Sequence, residues 1–338
     1  MTTLPTKPLI TAYKKPSPAR AAWQILNSVG LYLALWAAMS LTADVSWWLT
    51  MPLAVLAGAV LVRVFIIFHD CGHGSFLASR AANDGWGFVT GVLTFTPYAH
   101  WRWQHAIHHG STGNLDRRGV GDMWTLTLDE YRQAPLWKRL AYRAARNPIV
   151  LLGITPLAMF LLAQRVPNRR AGARERHSVW QTNICLLGLG IGLSAILGFL
   201  PFLIIQSTIL AVAGAIGIWL FYSQHQFEGA YWARRDDWDY DAAALKGSAY
   251  LKLPRILQWF TGNIGYHHIH HLSARIPNYN LQACHESHSV FEGVTPLTIL
   301  GSFRAFGLKL WDEANGRLVG FREARRARTG LGRKRHYV

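Results

Sequence analysis

The sequence predicts an all-α membrane protein, with four transmembrane helices arranged as two hairpins, additional interfacial helices and a cytoplasmic histidine-rich cap. Three observations lead to this fold class. Hydrophobic residues make up 51% of the 338 residues and are gathered into long runs. Only 16% of the residues are charged, whereas soluble proteins contain about 25%. Histidines are concentrated in three short clusters that lie outside the apolar runs.

Four apolar segments are long enough to cross a bilayer, which takes about 20 helical residues. The second segment contains a single charge, Arg63, near one end, where a long side chain can reach the interface. Short turns at 42–46 and 198–201 join the segments into two helical hairpins. The four predicted spans are residues 22–41, 47–68, 179–197 and 202–222.

Two further apolar segments are too short or too interrupted to span. Residues 86–97 are too short, and residues 149–163 contain Pro156. We expect both to lie in the membrane surface as interfacial or re-entrant helices. Residues 1–316 are therefore predicted to form one membrane-embedded domain, followed by a basic cytoplasmic tail at 317–338.

Lysine and arginine are concentrated in the segments that flank the hairpins. They precede the first and third spans and fill the C-terminal tail, whereas the turns at 42–46 and 198–201 contain none. Since basic segments stay in the cytoplasm, both termini and all three histidine clusters are predicted to be cytoplasmic. The formal net charge of +17 has the same explanation. The apolar spans argue against nucleic-acid binding, the other function that such a charge suggests.

The histidine clusters have the spacing of metal ligands on helices. HDCGH places two histidines four residues apart, on one face of a helix. HAIHH at 105–109 and HHIHH at 267–271 each place one histidine three and four residues before two others, and adjacent histidines such as His108 and His109 point about 100° apart. Another histidine follows the fourth span directly. The candidate ligands are His69, His73, His105, His108, His109, His225, His267, His270 and His271.

Nine imidazoles exceed the coordination of one metal ion, so two ions are expected to share them. Imidazole is a suitable ligand for iron, copper, zinc and nickel. The alternative interpretation is a set of histidines that are each hydrogen-bonded separately. That alternative does not explain three clusters on one side of a membrane protein.

The ordered set HDCGH, HAIHH and HHIHH resembles the three histidine boxes of integral-membrane fatty acid desaturases, in particular the acyl-lipid branch. WRWQHAIHHGSTGNLD and GNIGYHHIHHLSARIPNYNL resemble the wider box contexts, and the similarity covers residues from about 60 to 285. The resemblance implies a non-haem di-iron centre that uses O2 to remove two hydrogens from an acyl chain. It also implies that the eight box histidines bind iron, with His225 as an additional ligand.

Other residues near the boxes receive supporting roles. Asn263 is a possible polar or water-mediated ligand, and His100 and His268 are extra to the ligand pattern. Carboxylates beside the clusters are expected to orient ligand rings rather than bind metal: Asp70, Asp116, Asp122 and Glu228. An apolar sleeve for the acyl chain could be lined by Tyr98, Trp101, Trp103 and Trp124.

Desaturation requires two external electrons in each turnover. The three cysteines lie far apart and form no CxxC motif, and no glycine motif for nucleotide binding is recognisable. We therefore expect a separate electron donor of the ferredoxin or cytochrome b5 type. Basic cytoplasmic loops suit an acidic partner.

Three alternatives remain. The same scaffold can support hydroxylation or epoxidation, because oxygen transfer competes with removal of the second hydrogen. The substrate could also be a carotenoid or a sphingolipid. A metal transporter would need ionisable residues inside the spans, whereas the histidines of this chain lie outside them.

Overall fold

The computed structural model describes residues 10–291, 294 and 296–326, and this part of the chain is mostly helical. The helices of the first half are α1 (Pro18–Ile25), α2 (Leu31–Thr42), α3 (Trp47–His73), α4 (Arg80–Leu93), α5 (Tyr98–Ser111), α6 (Leu128–Gln133), α7 (Leu136–Ala145) and α8 (Thr155–Leu161). Those of the second half are α9 (Ala173–Leu197), α10 (Phe199–His225), α11 (Tyr240–Lys246), α12 (Arg255–Phe260), α13 (His267–Leu272), α14 (Asn278–Glu286), α15 (Ile299–Arg304) and α16 (Phe321–Arg326).

Within the described part of the chain, four helical segments are each long and apolar enough to cross a membrane, as predicted. They are Pro18–Thr42, in which a π-helical turn joins α1 to α2, and the helices α3, α9 and α10. Large apolar side chains on α9 are exposed, for example Ile184 and Ile191. Exposed apolar surface of this extent is typical of contact with lipid.

The helices α3 and α10 extend beyond the apolar segments that predicted them. Each contains 27 residues and is therefore about 40 Å long, whereas the hydrocarbon core of a bilayer is about 30 Å thick. The additional turns carry His69 and His73 at the end of α3 and His225 at the end of α10. The ends of α3 and α10 therefore place these three candidate ligands in the histidine-rich cap.

The two short apolar segments also form helices. Residues 86–97 lie mainly in α4, which packs against α3. The segment Val150–Arg165 meets α7 at an angle of 64°, and together they have the length and composition of one broken span. A re-entrant segment is the form predicted for residues 149–163, whereas a broken span would be a fifth crossing.

Helix α3 lies at the centre of the bundle, in contact with α2, α4 and α10. Gly58 allows α10 to approach closely, since a Cβ atom at this position would lie 2.7 Å from Cβ of Val212. The core around α3 includes the fully buried Ile67 and Phe68. This packing fixes the end of α3 relative to the end of α10.

Short strands add two small sheets that the all-α prediction did not contain. In the first, β1 (Leu126–Thr127) pairs in parallel with β4 (Leu310–Asp312), which pairs antiparallel with β5 (Arg317–Val319). In the second, β2 (Tyr250–Leu251) pairs in parallel with β3 (Pro296–Leu297). Strands of two or three residues are too short to show an alternating pattern in the sequence.

The predicted tail begins at Arg317, which is also the first residue of β5. The chain continues into α16, where Phe321 packs against Tyr131 and Tyr142. The first ten residues of the tail, 317–326, therefore form the strand β5 and the helix α16, joined at Gly320. Residues 327–338 lie outside the described residues.

Candidate metal centre

The histidine clusters meet where the ends of four helices converge. His69 and His73 lie in the last turns of α3, and His225 is the last residue of α10. Helix α5 carries the second cluster, and the short helix α13 carries the third. The histidines form two groups, separated by the directions in which successive residues point from α5 and α13.

The outer histidine group consists of His69, His73, His105, His109 and His270, whose ligand atoms lie within 4.8 Å of one another. Nε2 of His105 lies 3.0 Å from Nε2 of His69 and 3.1 Å from Nε2 of His109. Nε2 of His109 lies 3.0 Å from Nε2 of His270. Three members of this group, His73, His105 and His109, are only half-buried.

The inner histidine group consists of His108, His225, His267 and His271. Ligand atoms of His108, His225 and His271 lie within 4.8 Å of one another. Nε2 of His267 lies 3.0 Å from Nε2 of His225 and 3.1 Å from Nε2 of His271. Their exposed fractions are between 1% and 5%, so this group is more deeply buried than the outer group.

The separations between ring nitrogens fit metal ions. An imidazole nitrogen lies about 2.0–2.1 Å from a bound divalent ion, so two such nitrogens at right angles are about 3.0 Å apart. A neutral imidazole carries one ring proton, yet Nε2 of His105 has two histidine nitrogens within 3.1 Å. Nε2 of His73 is buried without a protein partner. The outer group therefore has the arrangement of ligands around a common centre rather than of separate hydrogen-bonded pairs.

Burial keeps these imidazoles in the form that binds metal. Removal from water lowers the pKa of His105, His109 and His270 well below the ordinary value, and neighbouring histidines lower it further. The same two causes lower the pKa of His267 and His271. Metal ligation requires neutral imidazole, so no proton has to be displaced from these rings near neutral pH.

Oxygen atoms orient three of the histidine rings by accepting a hydrogen bond from Nδ1. Nδ1 of His69 donates to Asp70 at 3.0 Å, and Nδ1 of His108 donates to Asp122 at 2.6 Å. Nδ1 of His225 donates to the carbonyl oxygen of Gly247 at 3.3 Å. Such contacts fix the tautomer, so that Nε2 is the nitrogen available to a metal ion.

Comparisons with known proteins connect this geometry with a family. The sequence model described as "Fatty acid desaturase" matches residues 46–293, which contain all nine candidate ligand histidines. The chain belongs to the fatty acid desaturase family. It is an oxidoreductase of the desaturase type, as predicted from the histidine boxes.

The desaturase is also similar to curated relatives over most of its length. A "Fatty acid desaturase" of Bacillus subtilis (strain 168) is 42% identical over 313 residues, covering 93% of this chain and 89% of the relative. An "sn-1 oleoyl-lipid 12-desaturase" of Synechocystis sp. is 29% identical, covering 71% and 68%. An "sn-1 acyl-lipid omega-3 desaturase (ferredoxin)" of the same strain is 27% identical, covering 81% and 76%.

Of the four carboxylates named from the sequence, Asp70 and Asp122 contact ligand histidines. The second carboxylate oxygen of Asp70 accepts hydrogen bonds from the backbone and side-chain nitrogens of Asn278, at 2.6 and 2.8 Å. Asp116 instead accepts from the guanidinium of Arg234 at 2.6 Å. Glu228 is exposed, and Gly247 supplies the oxygen that faces His225. The chain turns directly after α10, so proximity in sequence does not bring Glu228 to the ring.

The remaining polar candidates lie around the centre. Nδ2 of Asn263 donates to the carbonyl oxygen of Asn278 at 3.4 Å. The backbone of Asn263 itself is in the left-handed region. His100 accepts a hydrogen bond from the backbone nitrogen of Asn168. His268 pairs with His285 at 3.1 Å, and burial lowers its pKa to about 3. His100 and His268 are thus engaged outside the two histidine groups.

Among the aromatic candidates, Trp101 is the one in contact with the outer group. Its ring stacks on His105 with centroids 4.2 Å apart. The Tyr98 hydroxyl donates to the carbonyl oxygen of Cys71 at 2.8 Å. Trp103 lines a groove on the outside of α5, and Trp124 is 42% exposed.

A small cavity adjoins the inner group, and the sequence did not predict most of its lining. Phe221 lies 5.1 Å from His108 and 5.2 Å from His225 between ring centroids. Met123 and Trp232 line the same cavity. Phe221 lies four residues before His225 on α10, so its helical spacing could have identified it. The other two residues come from loops whose fold could not be predicted from a pattern.

Proposed function

We propose that this desaturase introduces a double bond into an acyl chain carried by a membrane lipid, at a non-haem di-iron centre. The outer histidine group would hold one iron ion, and the inner histidine group would hold the other. The observation that carries the proposal is the convergence of ring nitrogens in each group at separations of 3.0 to 3.1 Å. Iron is among the metals for which imidazole is a suitable ligand.

The reaction balances with O2 as the oxidant. One –CH2–CH2– unit, one O2, two electrons and two protons give one –CH=CH– unit and two water molecules. Iron, when bound, supplies the O2-dependent chemistry that removes hydrogen from an unactivated carbon, which the acids and bases of a protein cannot do. The residues of the chain bind the ions, orient the ligand rings and exclude water.

Orientation of the rings depends on contacts behind them. Asp70, itself held by Asn278, fixes His69, while Asp122 fixes His108. Water exclusion is strongest at the inner group, whose histidines are all buried. Phe221, Met123 and Trp232 place apolar side chains beside this group.

The nature of the relatives supports a lipid-linked substrate. Two of them are named for an oleoyl-lipid and an acyl-lipid substrate. One name also includes ferredoxin, which supports a separate electron donor of the ferredoxin or cytochrome b5 type. The four spans would form two hairpins, with both termini and the histidine cap in the cytoplasm, as the basic flanking segments indicate.

Lipid analysis of cells that express the enzyme tests the reaction. Gas chromatography and mass spectrometry should detect an acyl chain two mass units lighter than its saturated precursor. With 18O2 as oxidant, the product should contain no 18O, because both oxygen atoms leave as water. Labelled oxygen in the product would indicate hydroxylation or epoxidation instead, and a purified enzyme with one bound iron would contradict the di-iron centre.

A further inference from the structure

A groove runs along the side of α5 that points away from the metal-binding histidines. Trp103, Ala106, Ile107 and Gly110 line it, together with Arg117 from the loop that follows. At 100° per residue, these four helical positions lie on the face opposite to that of the histidines of the same helix. Ala106 and Gly110 are exposed, so the groove is open to a partner.

The groove is separated from the outer histidine group by one helix. Helix α5 carries both the groove and the ligands His105 and His109. Since a helix with its side chains is about 10–12 Å across, a redox group seated in the groove would lie close to the outer group. The outer group is also the one with half-buried histidines, whereas the inner group is fully buried. Electrons from a separate protein therefore have their shorter route on this side.

A segment rich in arginine lies near the Trp103 end of the groove. The ring of His100 lies 6.0 Å from Trp103 and accepts a hydrogen bond from the backbone of Asn168. The next two residues, Arg169 and Arg170, are exposed. Residues 165–177 contain five arginines and one acidic residue.

Arg117 is exposed at the groove itself. The adjacent carboxylate, Asp116, is held by Arg234 at 2.6 Å and does not neutralise Arg117. The groove is therefore apolar along its floor and positively charged at its rim. An acidic protein surface is complementary to this arrangement.

We propose that this basic groove docks a small acidic iron–sulfur protein of the ferredoxin type. Its lining includes Trp103, Ala106, Ile107, Gly110 and Arg117, and the exposed Arg169 and Arg170 follow Asn168, which is connected to Trp103 through His100. This inference rests on the proposed function, because it concerns the source of its two electrons.

Steady-state kinetics with purified iron-loaded enzyme test the docking surface. The donor is an acidic [2Fe–2S] ferredoxin kept reduced by NADPH and ferredoxin reductase. In the double variant R117E/R170E, the KM for ferredoxin should rise at least about tenfold while kcat at saturating ferredoxin stays within about twofold, since rim charges act mainly on encounter. The salt dependence of the reaction should become weaker. Ala106→Trp, which fills the groove without changing charge, should also raise this KM.

The double variant R322E/R325E provides a matched control. Both residues are exposed arginines on α16, which carries no residue of the groove lining. The control should retain the KM for ferredoxin of the unmodified enzyme, so a rise there as large as in R117E/R170E would refute a specific surface.

Three further results would overturn the proposal. The first is an unchanged KM for ferredoxin in R117E/R170E. The second is an equal loss of turnover with dithionite as reductant, because the substitutions would then act on the metal centre. The third is a rise in the KM for ferredoxin that occurs in bilayers of phosphatidylglycerol but not in neutral detergent, because the arginines would then act by binding lipid. Failure of the proposed function looks different: the unmodified enzyme would form no double bond with either reductant.

Discussion

We predict that Gly72, in the HDCGH cluster, is required for iron binding and desaturation, because the side chain of Trp101 occupies the space beside it. A Cβ atom on Gly72 would lie 2.9 Å from Cζ3 of Trp101, whereas ordinary contact begins at 3.4 Å. The indole would therefore have to move by about 0.5 Å. The addition of a methyl-sized group to a well-packed core costs roughly 1–3 kcal/mol. Phe68 lies 4.7 Å from the indole and Phe65 lies 5.6 Å from it, while His105 stacks on it at 4.2 Å. Movement of the indole therefore disturbs a predicted iron ligand.

The perturbation is Gly72→Ala, and the assay measures bound iron and desaturation in the purified protein. We expect iron affinity and turnover to fall about 10- to 100-fold, the range for loss of support behind a metal ligand. Gly85→Ala is the matched control, because a Cβ atom on Gly85 meets no atom within 4 Å. That control should be neutral, or should stabilise α4 by about 0.5–1 kcal/mol.

A second substitution tests whether the effect passes through the indole. Trp101→Phe removes the ring atoms that the new methyl group approaches, so it should restore iron binding in the Gly72→Ala background. A double-mutant cycle would then give a coupling of about 0.5–3 kcal/mol, as is found for residues in contact. Normal iron content in Gly72→Ala would refute the steric argument. An equal loss in the single and double variants would assign the role of Gly72 to something other than Trp101.

The remaining predictions concern residues around the inner group. His225→Ala should lose desaturation and at least one iron, and His225→Gln should do no better, as metal analysis and product assays can check. Full iron content in His225→Ala would show that His225 is only an interfacial residue. His268→Ala should cost far less than His271→Ala, because His268 faces His285 outside both groups; an inactive His268→Ala enzyme would contradict the assignment of the third cluster. Asp122→Ala should weaken iron binding about 10- to 100-fold by releasing His108, whereas Asp122→Asn, which keeps an acceptor oxygen, should weaken it less.

The sequence was most informative where a periodic pattern governs the structure. Apolar segments predicted four spans because the bilayer fixes their length. Their ends were predicted less well, since α3 and α10 continue past the apolar residues to His73 and His225. Hydropathy does not contain this information, because the final turns are stabilised by packing in the cap rather than by lipid.

Contacts between distant segments were beyond prediction for a physical reason. Gly247 accepts a hydrogen bond from His225, and Asn278 donates one to Asp70. The path of the loops brings these residues together, and no periodic sequence pattern predicts that path. Glu228 seemed a better partner for His225 because it is only three residues away, yet it is exposed. Proximity in sequence predicts a contact within a helix, and α10 ends at His225.

The division of ligands follows from the geometry of the two HxxHH motifs. Residues i and i+4 are about 40° apart on a helix, whereas i+3 and i+4 are about 100° apart. Accordingly, His105 and His109 lie in the outer group while His108 lies in the inner group. In the third cluster, the pair at i and i+4 belongs to the inner group instead. His267 and His271 lie with His225, while His270 belongs to the outer group.

This opposite arrangement explains the place of His225. The outer group receives two histidines from α5, one from α13 and two from the HDCGH cluster on α3. The inner group receives one from α5 and two from α13, and no histidine of HDCGH belongs to it. A site with three imidazoles would depend on solvent or substrate for its remaining positions. The extension of α10 beyond its apolar segment supplies the fourth, so the length of a membrane helix and the ligand count of the inner site are directly linked.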